Sequence, residues 1–192
     1  MQPLIDNARR FGQRPEEFAG LAEGQSPQVL FITCSDSRVV PALITGARPG
    51  ELFELRTAGN IVPPYVSEHP TSEAATIEYA VEVLGVSDVV VCGHSHCGAV
   101  GALVRGDDLD AVPAVRDWLV GATPKPKGAA EDPAVAEGVQ GHVLTQLLRL
   151  RSYPCVEEKL AEGRLNLHAW YYEVHTGAVL AHRPQTDTFA AL

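Results

Sequence analysis

Apolar residues change their spacing several times along this chain, and each change predicts an element. Leu4, Ile5, Ala8 and Phe11 follow the spacing of a helix with one apolar face, and Phe18 and Leu21 come after them. Residues 1–23 are therefore expected to form an arm made of a pair of short helices. Residues 28–33 (QVLFIT) and 51–55 (ELFEL) are compact runs of strand formers. Helical spacing returns over 72–84, where Ala74, Ile77, Val81 and Leu84 share a face. Ser72 is placed to cap this helix and Gly85 to end it. Residues 86–92 (VSDVVVC) read as a third strand, with a turn at Gly93.

The alternation continues downstream. A helix is expected to open near Cys97 and run through Leu103, and another short one over 110–119. Residues 121–131, with prolines and lysines among small residues, read as an exposed loop. Asp132-Pro133 is a cap followed by proline, the favoured order at a helix start. It predicts a long helix with Val135, Val139, Val143, Leu147 and Leu150 on its apolar face. Residues 154–163 predict a short helix, and 165–173 and 178–182 predict the last strands. Strands alternating with helices imply an α/β protein, a parallel sheet with helices on its faces, here as a single domain over 1–192. Sites in such sheets lie beyond the C-terminal ends of strands.

Composition narrows the function classes. The chain has 192 residues, enough for one domain with a real core. Its formal net charge of -9 argues against nucleic acid and against an anionic membrane surface as partners. Residues 1–18 lack the unbroken apolar stretch of a signal peptide, and no run is long enough to span a bilayer, so a cytoplasmic protein is expected. Four cysteines in a chain of this length do not suggest a disulfide framework; in a reducing compartment they suit metal binding better.

Cys34 follows the first predicted strand, and His94 and Cys97 follow the third, so both loops can open onto one sheet edge. Zinc favours thiolate and imidazole in a tetrahedral set, and two cysteines with one histidine leave a position free, as in catalytic sites. Cys97, near a helix start, would have its thiolate stabilised by the helix dipole. The alternative is that these cysteines are small buried hydrophobes. That suits Cys92, inside an apolar run, and Cys155, and it stays open for Cys34 and Cys97, whose neighbours are polar and glycine-rich. In Cys34-Ser35-Asp36-Ser37-Arg38 a carboxylate and a guanidinium stand two residues apart. Alone this reads as a solvated turn. Beside zinc it gains a use, because two thiolates cancel the ion's formal charge and weaken its acidifying effect on water. Asp36 can accept the proton of a hydroxide held by zinc, and Arg38 can hold Asp36 by a bidentate bond.

Three motifs, C-S-D-S-R at 34–38, R-T-A-G-N at 56–60 and G-H-S-H-C-G at 93–98, resemble the β-class carbonic anhydrases. P-G-E-L-F at 49–53, I-E-Y-A-V at 77–81 and L-H-A-W-Y-Y at 167–172 also look like that family, in its plant-like branch. The resemblance implies an open, mostly parallel sheet flanked by helices and one zinc ion per subunit. It implies reversible hydration of carbon dioxide to bicarbonate and a proton. It further implies a homodimer or homotetramer, with the N-terminal helices reaching over the partner subunit. The family's zinc ligands map onto Cys34, His94 and Cys97, and its catalytic dyad onto Asp36 and Arg38, with Asp36 a fourth ligand only in a closed form.

The branch's active-site glutamine falls on Gln25, whose amide can donate to the oxyanion that forms on carbon dioxide; without the match Gln25 reads as a surface-loop residue. The carbon dioxide pocket maps onto Phe53, Ala58 and Tyr79, with core packing the other reading of Phe53 and Tyr79. Ala58 stands where valine is frequent, which implies a slightly roomier pocket. Some relatives bind regulatory bicarbonate with a tryptophan three residues before the first cysteine. Phe31 occupies that position here, so an open form is expected near neutral pH. His96 lies between two ligands and is expected to point away from the metal rather than to shuttle protons.

Two other functions share many of these residues. Hydrolysis of carbonyl sulfide or carbon disulfide would use the same scaffold on a linear apolar substrate and differ in the access channel. A non-catalytic zinc-binding or redox-sensing module would keep Cys34, His94 and Cys97 but has no use for Asp36, Arg38 and Gln25.

Overall fold

A computed structural model describes residues 1–13, 15–122, 124–129 and 131–192. Arg14 in the expected arm, and Thr123 and Ala130 in the expected loop, lie outside the described residues. The strands are β1 (Val29–Cys34), β2 (Leu52–Thr57), β3 (Asp88–His94), β4 (Asn166–Tyr172), β5 (Val179–Arg183) and β6 (Thr188–Ala191). They form one sheet in the order β2-β1-β3-β4-β5-β6. The first four are parallel, and β5 and β6 turn back antiparallel at one edge.

The helices are α1 (Gln2–Phe11), α2 (Pro41–Thr45), α3 (Ser72–Glu78), α4 (Gly98–Arg105), α5 (Pro113–Ala122), α6 (Ala136–Leu150) and α7 (Pro154–Ala161). β1 and β3 are buried along almost their whole length, as central parallel strands should be, which explains their unbroken apolar runs. Leu30, Ile32, Val89, Val91, Ala169 and Tyr171 turn to one face. There they meet Ile77 and Val81, Val100 and Val104 of α4, and Val139 and Val143 of α6 in the main core. The opposite face carries a smaller cluster of Phe31, Val90 and Cys92 with Trp170 and Tyr172. Phe31 stands edge-on to Trp170 at 5.9 Å. Among the described residues no helix is long and apolar enough to cross a membrane.

Several boundaries differ from the sequence expectation. Thr71, not Ser72, caps α3: its side chain accepts from the Ala74 N–H at 3.2 Å. Helical backbone does persist to Leu84 as expected, but from Tyr79 to Val83 it widens into a π turn, and Gly85 at φ +66° follows. α6 starts at Ala136, not at Pro133. Asp132 still caps, with its carboxylate accepting the N–H groups of Ala134 and Ala136 at 2.9 Å each, but it builds a turn containing Pro133 first. That turn holds Val135 at φ +45°, uncommon for a β-branched residue, while its side chain is buried in the main core. The arm is one helix followed by two short 3-10 turns, Pro15–Glu17 and Ala19–Glu23, rather than a pair of helices. α1 buries none of its residues. α2 and β6, five and four residues long, carried no periodic signal.

Candidate metal centre

β1 and β3 are neighbours and parallel, so their C-terminal ends finish side by side. Cys34 is the last residue of β1, His94 the last of β3, and Cys97 the N-cap of α4. Both first ligand candidates thus sit at strand ends rather than just beyond them. The two sulfurs and the imidazole nitrogen lie within 4.8 Å of one another, and all three residues are buried. Nδ1 of His94 is 2.9 Å from the Ser95 carbonyl. A carbonyl can only accept, so Nδ1 carries the proton and Nε2 presents a lone pair. That Nε2 is buried with no hydrogen-bond partner. An orphaned nitrogen beside two sulfurs is the donor set of a zinc site with one coordination position free, and the residues present fit the ion.

The two thiols are linked by a side-chain hydrogen bond. The Cys97 hydrogen bond, opposed by burial and helped by His94 and by the Asp36 and Gly59 backbone, pulls the Cys34 thiol well below its usual range. The same bond and burial push Cys97 up. Backbone bonds from Val100 and Ala99 lower Cys97 as the helix-start argument expects, but they do not prevail.

Asp36 and Arg38 form the expected fork. Nε of Arg38 donates to Oδ1 at 2.9 Å and Nη2 to Oδ2 at 2.7 Å, and the Arg38 N–H adds a third bond at 2.9 Å. These bonds hold the Asp36 carboxyl well below the usual carboxylate range. Nη2 of Arg38 also reaches the His96 carbonyl at 3.0 Å. Oδ2 of Asp36 lies 3.8 Å from Nε2 of His94, facing the ligand cluster without bonding to it. Arg56 braces the loop from below, donating to the carbonyls of Cys34, Asp36 and Val39. The Gly59 N–H donates to Sγ of Cys34 at 3.4 Å. Gly59 sits at φ +72°, and a Cβ there would come within 3.1 Å of Ala99 Cβ.

Within one chain the remaining candidates divide. Ala58 lies beside the metal cluster, in a pocket with Ser35, Thr57 and Trp118. Phe53 is in register with Leu30, four residues before Cys34. At the rise of a strand that is about 13 Å from the ligand end. Tyr79 packs tilted against Phe53 with ring centroids 6.0 Å apart. Gln25 is exposed ahead of β1, in a groove with Phe18, Leu21 and Arg48. His96 turns its ring edge-on to His175 at 6.0 Å. Arg56 entered the sequence reading only as a motif letter, and Trp118 and His142 not at all. All three act on backbone carbonyls far away in the chain, a contact that leaves no local pattern.

Two cysteine sulfurs and an imidazole at the C-terminal edge of a parallel sheet, beside an ion-paired carboxylate, define a metal-dependent α/β enzyme. Residues 29–179 match the carbonic anhydrase family. A carbonic anhydrase of Pseudomonas aeruginosa is 45% identical over 203 residues, spanning 100% of this chain and 92% of that protein. Carbonic anhydrase 1 of Escherichia coli O157:H7 is 43% identical over 204 residues, with the same coverage of 100% and 92%. The solved structure of the β-carbonic anhydrase CcaA superposes with a TM-score of 0.87 at 36% identity, covering 100% of this chain and 99% of that one. Tetrameric β-carbonic anhydrases of Sordaria macrospora give 0.77 at 29% identity, covering 94% of each chain. The chain belongs to the β-carbonic anhydrase family, whose members hydrate carbon dioxide with zinc.

Proposed function

We propose that this protein interconverts carbon dioxide and bicarbonate at a zinc site held by Cys34, His94 and Cys97, with Asp36 and Arg38 as its catalytic pair. The observation that carries the reading is the buried, unpartnered Nε2 of His94 between two thiols. When bound, zinc supplies the Lewis acidity that makes a water nucleophile available near neutral pH. Arg38 holds Asp36 by two parallel bonds and so keeps the carboxylate from closing the open metal position. Oδ2 of Asp36 then accepts the O–H of the nucleophile and turns its lone pair toward carbon dioxide. Ala58, Phe53 and Tyr79 form the apolar surround of the substrate, and the Gln25 amide donates to the oxygen that gains charge.

Phe53 lies near the N-terminal end of β2 with Tyr79 packed against it, and Gln25 precedes β1, all toward the end of the sheet opposite the cluster, so we assign them to the metal centre of a second copy in a homodimer or homotetramer. The exposed apolar residues of α1, among them Leu4 and Phe11, support an arm that packs on that copy. All four cysteines are free, which suits the reducing cytoplasm.

The test is stopped-flow carbon dioxide hydration with zinc measured in parallel. The unsubstituted protein is expected to hold one zinc per chain and to be active, and Cys97→Ser to lose most of both. Full zinc occupancy in Cys97→Ser would overturn the ligand set, and an inactive zinc-loaded parent would overturn the reaction.

A further inference from the structure

Three long-range hydrogen bonds meet at Gly59. Its N–H, which reaches Sγ of Cys34 at 3.4 Å, belongs to the Ala58–Gly59 peptide. The carbonyl of that same peptide accepts from Nε1 of Trp118 at 2.9 Å. The carbonyl of the next peptide, Gly59–Asn60, lies 2.8 Å from Nε2 of His142. Because a carbonyl only accepts, His142 carries its proton on Nε2, and its Nδ1 is buried without a partner. Trp118 comes from α5 and His142 from α6. Two separate helices therefore grip the peptides on either side of a residue whose own backbone is conformationally the least restricted.

We propose that Trp118 and His142 are positioning residues for the metal centre, clamping the two peptides that meet at Gly59 so that its N–H stays bonded to Sγ of Cys34. The inference rests on the zinc reading of the cluster. An N–H donor draws charge from a thiolate and makes it a weaker donor to the metal. That offsets part of the loss of acidity that a second thiolate brings. The Trp118 bond polarises the same peptide unit from its far end, which strengthens the N–H as a donor. Their hydrogen bonds go to the Ala58 and Gly59 carbonyls, so both act on the cluster through the peptides around Gly59. A packing role would leave the electronic character of the sulfur unchanged.

The experiment loads the parent protein, Trp118→Phe, His142→Leu and His142→Gln with cobalt(II) and records the thiolate-to-cobalt charge-transfer band. Trp118→Phe and His142→Leu are expected to shift the band to lower energy, because an unbonded thiolate gives up charge more easily, while the metal stays bound. In His142→Gln the amide N–H replaces the imidazole donor, and the band is expected back near the parent position. Zinc-loaded Trp118→Phe should lose several-fold in hydration rate at neutral pH at full zinc occupancy. Bands at the parent energy in Trp118→Phe and His142→Leu would overturn the proposal, and a His142→Gln band displaced as far as that of His142→Leu would count against the clamp. Should His142→Leu fail to fold, Trp118→Phe decides alone, since it keeps an aromatic ring in place while removing the Nε1 donor. Absence of a thiolate–cobalt band in the parent would instead sink the metal reading.

Discussion

Arg38 joins three parts of the site. Its guanidinium holds both oxygens of Asp36 and also reaches the His96 carbonyl, between the ligands His94 and Cys97. Removing it frees a carboxylate whose Oδ2 already lies 3.8 Å from the ligand nitrogen. Arg38→Ala should therefore retain zinc and lose most hydration activity, as Asp36 closes on the metal; metal analysis beside a rate measurement checks both halves. His142 gives a second prediction. Burial pulls its imidazole down from 6.5 to about 4, so the folded protein resists a proton that the unfolded chain takes up. The depressed value belongs to a base, so its stabilising effect is complete above about pH 6.5 and is lost as pH falls toward 4. Between about pH 7 and pH 5 the metal-free protein should lose on the order of 2 kcal/mol from this group. Denaturant unfolding at both pH values tests this, with His142→Gln expected to show a correspondingly shallower loss. The Cys34, His94 and Cys97 cluster and the Asp36–Arg38 ion pair were legible in the sequence because their side chains lie within short motifs. Gly59, Trp118 and His142 were not, because they work through backbone groups brought together only by the fold.

Between elements, the tightest constraint is the seat of α6 on β3. Gly93 precedes His94, and a Cβ there would lie 2.5 Å from Val139 Cγ1 and 2.6 Å from Val143 Cγ2. Those valines are fully buried and cannot swing aside. Gly93→Ala should destabilise the protein by about 1–3 kcal/mol, the range for overpacking a filled core. A lower denaturant midpoint with an unchanged slope would report it; an unchanged midpoint would mean that α6 can shift freely. The sequence suggested only a turn at Gly93. The strand is instead continuous through it, and the missing side chain serves helix packing. The long apolar runs of β1 and β3 were readable because both faces of a central strand are buried. The start of α6 was misread because Asp132 bonds two backbone N–H groups in a turn before the helix, and Asp-Pro alone does not distinguish that turn from a direct cap.

At the scale of the whole molecule, one chain separates the metal ligands from Gln25, Phe53 and Tyr79. The register of β1 with β2 puts Phe53 beside Leu30 while Cys34 pairs with Thr57. The sequence order of these residues cannot reveal that separation, because neighbouring strands run parallel and each contributes both a near and a far end. If the working site is built from two copies, two differently damaged chains should repair each other. Cys97→Ser removes the metal but keeps Gln25, and Gln25→Ala keeps the metal but removes a donor whose loss costs on the order of 3 kcal/mol. A mixed dimer then holds one site with both functions intact and one with neither. With equal amounts and random pairing in a two-fold assembly, about a quarter of the parent's sites should be restored. Hydration rates of the two variants, measured separately and after unfolding and refolding together with zinc, decide the matter. Recovery well above the average of the separate rates establishes a site shared between subunits. A mixture no faster than that average would return Gln25 to the metal centre of its own chain, or to an ordinary loop.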